Sequence, residues 1–221
     1  MLAQEKKIKG FSVLEILVTL CLVGIISALA YKPITDWNKQ REVDNSAVKV
    51  KTLFTNINAQ VQRGLYGFVQ IYVRTHKNSI TIASRGMNTS TLAQKINTDS
   101  EFGKIDERCN TNGDYWDDDG LVDRKPEVSK LTLDNVVTSF SGEAAVCFSK
   151  DGRWFSADEN FISGTDPVYG MFICEQSAMS CTDDSGEIKE NVQYLYEVNW
   201  TRFGNINLEK YDGNKDKWIS R

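Results

Sequence analysis

One histidine in 221 residues, His76, leaves the chain almost without imidazole for acid–base work or metal ligation. No GxSxG, HExxH, P-loop or GxGxxG pattern accompanies it, and no CxxC spacing offers a thiolate metal site. Carboxylates are numerous, but none is marked by spacing as half of a catalytic pair, so the expectation is a protein that is not an enzyme. A basic excess is also missing. The formal net charge is −4, and after Tyr31 there are 23 Lys and Arg against 28 Asp and Glu. A nucleic-acid binder normally gains affinity by releasing counterions from a basic surface, so DNA is a disfavoured partner. The cluster of Lys210, Lys215, Lys217 and Arg221 is the one local exception, and acidic residues interleave it.

What the chain does have lies at its start. The basic leader MLAQEKKIKG runs into FSVLEILVTLCLVGIISALAY, an apolar stretch from Phe11 to Tyr31 broken by a single carboxylate, Glu15. About 21 residues at 1.5 Å each cross roughly 30 Å of hydrocarbon, so the stretch is long enough to span a lipid bilayer. Lys6, Lys7 and Lys9 precede it, which keeps the leader cytoplasmic and sends the rest outward. An ordinary secretory signal would have a shorter apolar core and a small-residue cleavage site after it; only Ser27, Ala28 and Ala30 imitate one. A carboxylate at this depth costs on the order of 2.5–3.5 kcal/mol, so Glu15 needs a partner or a task.

Gly10, Phe11 and Glu15, with Ser12, Leu14, Ile16 and Leu17 around them, resemble the start of the type IV pilin and pseudopilin superfamily. In that superfamily the leader ends in Gly, the mature chain opens with Phe and the fifth mature residue is Glu. The resemblance implies cleavage between Gly10 and Phe11 by a prepilin peptidase and methylation of the new Phe11 amine. It also implies pairing of Glu15 with the terminal amine of a neighbouring subunit. AVCFSKDGRWFSAD and YLYEVNWTRFGNINLEKY are similar to two hairpins of the minor pseudopilin H and FimT-like family. Residues 86 to 130 and 156 to 190 are longer than a minimal member carries.

Past the span, Val43, Ala47, Val50, Phe54, Ile57 and Val61 recur every three or four residues, one apolar stripe on a continuing helix. Pro33 is expected to kink or loosen that helix, and Gly64 to end it. The stripe is too short for a free-standing coiled coil and is expected to pack on a sheet. From Tyr66 the signal becomes β. FVQIYVRT, SITIA, KLTLDNVVTSF, EAAVCFS, GMFICEQ, VQYLYEVNWTR and NINLEKY read as strands, with KDGR and FGN as turns. The expected fold is α+β, pilin-like, a long N-terminal helix packed on an antiparallel sheet. The expected organisation is a cleaved leader at 1–10, an assembly helix at 11–63 and a periplasmic β-rich head at 64–221.

Cys21 falls in the apolar span; Cys109, Cys147, Cys174 and Cys181 form an even set beyond it, which favours two disulfides in an oxidising compartment. Four cysteines allow three connectivities, and the short CEQSAMSC loop favours Cys174 with Cys181, which leaves Cys109 for Cys147. The loop CNTNGDYWDDDGLVDRKPE places Asp117, Asp119, Gly120 and Asp123 at calcium-loop spacing, with Asp114 one residue out of register. Position one is Tyr115 and the closing Glu falls on Pro126, so a solvated acidic loop is favoured over a calcium site built from Asp114, Asp117, Asp119 and Asp123. Asp212, Asn214 and Asp216 read as an exposed turn. Trp154 reads as core, Trp218 as neither core nor contact anchor, and Trp116 carries no assignment.

The functional expectation is a structural subunit, a minor type IV pilin or type II secretion pseudopilin of the bacterial inner membrane, single-pass with a cytoplasmic N-terminus and a periplasmic head, that enters a pilus-like filament. Its expected partners are the prepilin peptidase, other pilin or pseudopilin subunits, the inner-membrane assembly platform and the lipid bilayer. No cofactor is expected apart from that calcium. The alternative is a binding module at the filament tip, an adhesin or a DNA-uptake receptor.

Overall fold

A computed structural model describes residues 11–75, 79–103, 108–109, 127–139, 143–150, 154–156, 169–178, 180–182, 188–189, 192–201, 204–213, 215 and 217–221. The chain divides into two units, Met1–Lys39 and Gln40–Arg221. Helix α1 (Val13–Gln62) runs through both. Its first part is apolar and solvent-facing along its length. Pro33 lies inside α1 and does not end it. Gly64, at φ 75°, follows the last turn, and the N–H groups of Gly64 and Leu65 close on the carbonyls of Val61 and Gln60, the left-handed exit that glycine allows.

In the second unit, α1 presents the expected stripe. Val43, Ala47, Val50, Phe54, Ile57 and Val61 are all buried to 1 % exposure or less. They meet two sheets where a single sheet was expected. The first sheet is built from β1 (Phe68–Thr75), β2 (Ser79–Met87), β3 (Glu127–Asp134), β5 (Glu143–Ser149) and β6 (Trp154–Ser156), in the order β3-β2-β1-β5-β6. The second holds β4 (Val136–Thr138), β7 (Tyr169–Glu175), β8 (Leu195–Trp200), β9 (Ile206–Asp212) and β10 (Lys217–Ser220), in the order β10-β9-β8-β7-β4. Every pairing among these strands is antiparallel.

The stretch read as one strand, KLTLDNVVTSF, is divided between the two sheets. Asn135 takes φ 59°, the left-handed region that asparagine tolerates better than most residues, so β3 ends in one sheet and β4 begins in the other. Asn135 Nδ2 donates to Glu42 Oε1 at 2.8 Å, which pins this switch to α1. A second pin lies at the β8–β9 turn, where Gly204 at φ 83° accepts on its carbonyl from Asn58 Nδ2 at 2.8 Å.

Inward residues of both sheets and the helix stripe make one core. Phe54 sits at its centre, edge-on to Phe148 at 6.0 Å and against Trp200 at 5.2 Å. The outer face of the first sheet carries a second cluster of Phe68, Met87, Phe102, Cys109, Ala145 and Cys147. Helix α2 (Thr89–Thr98) lays Leu92 and Ile96 against it, and α3 (Ser100–Gly103) contributes Phe102. Asn88 caps α2 by accepting from the Thr91 N–H at 2.7 Å. The outer face of the second sheet carries a third cluster of Cys174, Ala178, Cys181 and Leu195, with Phe172, Tyr211 and Trp218 packed on it.

Candidate assembly site at the N-terminus

Ser12 sits just before α1 and acts as its cap. Its hydroxyl oxygen accepts from the Glu15 N–H at 3.2 Å, and its carbonyl accepts from the Ile16 N–H at 3.2 Å. Ser12 and Glu15 thus stand at the spacing of a capping box, with Glu15 the third helical residue. That S-x-x-E signal was present in the chain and was overlooked, because Glu15 was weighed only as a charge in lipid. The position puts a carboxylate in the first turn, at the positive end of the helix dipole.

Around this carboxylate the surface is apolar and uncovered. Phe11 is 78 % exposed and Leu14 73 %, and Leu17, Leu20, Ile25, Ile26 and Leu29 are exposed as well. Helix α1 is long and apolar enough to cross a membrane. The backbone inside the helix is satisfied by its own ladder, as hydrocarbon requires, and Thr19 returns its hydroxyl to the Ile16 carbonyl at 2.8 Å. Chemically, a carboxylate at such a helix end is costly to place in hydrocarbon unless a polar group meets it. Phe11 lies one residue ahead of the Ser12 cap, while Gly10 is outside the described residues.

The other sequence-singled residues fall elsewhere. Cys109 is bonded to Cys147 and Cys174 to Cys181, with Cα–Cα distances of 5.8 and 5.7 Å. This is the connectivity that the short-loop argument favours. The first bridge ties residue 109 to β5 under the α2 cluster; the second ties the end of β7 to the segment after the 3₁₀ turn Gln176–Ala178. Cys21 is exposed on α1. His76, Trp116 and the acidic residues Asp114, Asp117, Asp119 and Asp123 lie outside the described residues. Asp212 closes β9 and pairs with Lys215 at 3.6 Å. Trp218, expected to be neither core nor contact anchor, is half-buried and packs on the third cluster, stacking on Phe172 at 5.7 Å and tilting against Tyr211 at 5.3 Å.

No protein-family model, no characterised protein and no solved structure matches this chain. The N-terminal arrangement is therefore judged on its own physics.

Proposed function

We propose that this protein is a minor pilin or pseudopilin, a structural subunit held in a membrane by α1 and drawn into a filament through Glu15. The observation that carries the reading is a carboxylate in the first turn of an uncovered apolar helix. A membrane anchor alone has no use for that charge, because an apolar residue there would insert more favourably. A charge kept at that cost is explained by a counter-charge that arrives with assembly. Cleavage after Gly10 would create one on every subunit, the ammonium of Phe11, and a partner's ammonium against Glu15 neutralises both in a medium of low dielectric.

The β-rich unit supports the same reading in a second way. Two disulfides suit a domain that works in an oxidising compartment outside the cytoplasm. The work of such a subunit is contact and assembly, with no covalent chemistry. Mass spectrometry of the membrane-extracted chain, from cells with an active prepilin peptidase, tests the proposal. The expected mature N-terminus is a methylated Phe11, and a chain that keeps its first ten residues overturns the reading.

A further inference from the structure

Within α1, the segment from Tyr31 to Lys39, YKPITDWNK, is polar in composition yet keeps a large apolar side chain at every third position. These are Tyr31, Ile34 and Trp37. In a helix of 3.6 residues per turn each three-residue step falls short of a full turn by about 60°, so the three share one side, while Asp36 and Lys39 lie across from it. All three are uncovered, Ile34 at 54 % exposure, Trp37 at 58 % and Tyr31 at 72 %. The face continues the apolar surface of the span, where Ile25, Ile26 and Leu29 are exposed in the same way.

What changes at Tyr31 is the kind of apolar residue. From Val13 to Leu29 the large apolar side chains are all aliphatic, whereas Tyr31 and Trp37 each carry an apolar ring with a hydrogen-bonding tip. Such rings concentrate in the headgroup layer of a bilayer, where the ring body meets acyl chains and the O–H or N–H meets water and ester oxygens. The height along the helix agrees. From Val13 to Trp37, α1 rises about 36 Å at 1.5 Å per residue, more than the roughly 30 Å of hydrocarbon and less than the roughly 40–45 Å of a bilayer with its headgroup layers. With the start of α1 at the inner boundary, Trp37 falls in the outer headgroup layer. Helix side chains also lean toward the N-terminus, so the indole covers the turn before its own Cα, on the membrane side.

We propose that Tyr31, Ile34 and Trp37 form a lipid-headgroup anchor, a face of α1 that lies in the outer interfacial layer of the bilayer and carries membrane contact past the end of the apolar run. The proposal rests on α1 spanning a bilayer, as the proposed function requires. A neighbouring helix is the competing occupant of the face. Close helix packing in lipid draws on small residues, and Tyr31, Ile34 and Trp37 are all large, so lipid is the better fit. Lys39, exposed on the other side of the helix, is then left to the solvent edge of the same layer.

The test uses the full-length chain reconstituted in phosphatidylcholine liposomes at high dilution in lipid, with acyl chains brominated either next to the headgroup or near the chain end. Tryptophan emission is read in each. Trp37→Phe supplies the blank, because Trp116, Trp154, Trp200 and Trp218 remain in it and an exposed position tolerates the change. The difference signal, which belongs to Trp37, is expected to lose most of its intensity to the shallow bromines and little to the deep ones. Adding Tyr31→Trp to the blank is expected to restore a quenched signal that responds more to the deep bromines than Trp37 does. A Trp37 signal quenched by aqueous iodide and by neither lipid places the residue in water and overturns the proposal. One quenched by neither iodide nor lipid places it against protein, and one quenched most by the deep bromines places it in the hydrocarbon; each overturns the proposal as well. Alkaline carbonate extraction of the same liposomes separates these failures from failure of the span. A chain that stays in the membrane with Trp37 in water loses the anchor alone, whereas a chain released to the supernatant loses the span with it.

Discussion

The guanidinium of Arg221 donates to the carboxylate of Asp44, joining the end of β10 to the second turn of the buried part of α1 across 177 positions of sequence. Lys51, two turns further along the helix, donates to the Arg221 carbonyl at 3.3 Å, and the Arg221 N–H donates to the Leu208 carbonyl at 2.9 Å. Three contacts thus hold one residue against the helix and its neighbouring strand. Beneath them lies Tyr196, whose phenol is pushed from 10.0 up to about 12 by burial first and by the charge of Asp44 next, against a smaller opposing pull from Arg221.

A raised phenol pKa means the folded chain keeps a proton that the unfolded chain has released. Stability is therefore unaffected by this group below pH 10 and declines as pH climbs from 10.0 toward about 12. Asp44→Asn is expected to lower the Tyr196 pKa toward its ordinary value. Phenolate absorbance in a pH titration reads the shift. The ion pair itself is partly exposed and should cost at most about 1 kcal/mol in a denaturant melt.

Tyr196→Phe removes a buried hydroxyl that has no partner within hydrogen-bond distance and interacts with the nearby Asp44 carboxylate only at longer range. Because that long interaction is weak and a desolvated oxygen disappears, the variant should be within about 1 kcal/mol of the wild type. It should also lose the alkaline part of the stability profile, which urea melts on both sides of pH 10 would show.

Phe54→Ala empties the point where α1 meets both sheets, beside Phe148 and Trp200. The loss should be about 3–5 kcal/mol, larger than for any exposed substitution on the same helix such as Val48→Ala. Chemical unfolding of the two variants side by side measures the contrast.

The bridge from Cys109 to Cys147 closes 38 residues, while that from Cys174 to Cys181 closes 7. In the chain-entropy account, the longer loop is worth about 4 kcal/mol and the shorter about 2.5 kcal/mol. Replacing Cys109 and Cys147 together by Ala should therefore lower stability more than replacing Cys174 and Cys181, as paired denaturation curves would record.

Glu15→Ala removes the carboxylate and keeps the apolar helix, so insertion should be retained or improved. Recruitment into filaments is expected to fall sharply, because the partner's ammonium would be left uncompensated at a cost of several kcal/mol. Co-purification of the variant with major subunits at the wild-type level would contradict the assignment of Glu15.

Much of this fold was readable from residue pattern. The stripe from Val43 to Val61 has helical spacing because a helix can bury only one face, and each of its six members is in the core. Alternation in FVQIYVRT and VQYLYEVNWTR located β1 and β8, since one face of each strand meets α1. The division into two sheets was not readable. It depends on the backbone of one residue, Asn135, where the alternation slips by one between Leu133 and Val136, a shift marked in the sequence only by the polar pair Asp134 and Asn135. Helix α2 also went unread, because its signal is an Asn88 cap and two apolar residues, Leu92 and Ile96, too few to show a period. At the N-terminus Glu15 stood out by its charge, whereas the Ser12 cap was hidden by its ordinariness.

The crossing at Asn135 has a mechanical corollary. With a single residue between β3 and β4, the chain has no slack at that point, and the two layers cannot slide or part while both remain hydrogen-bonded. Strain applied to one layer passes through that hinge to the other and, through Glu42, to the helix between them. The β-rich unit should for that reason yield as one cooperative block under load, with neither layer peeling away first.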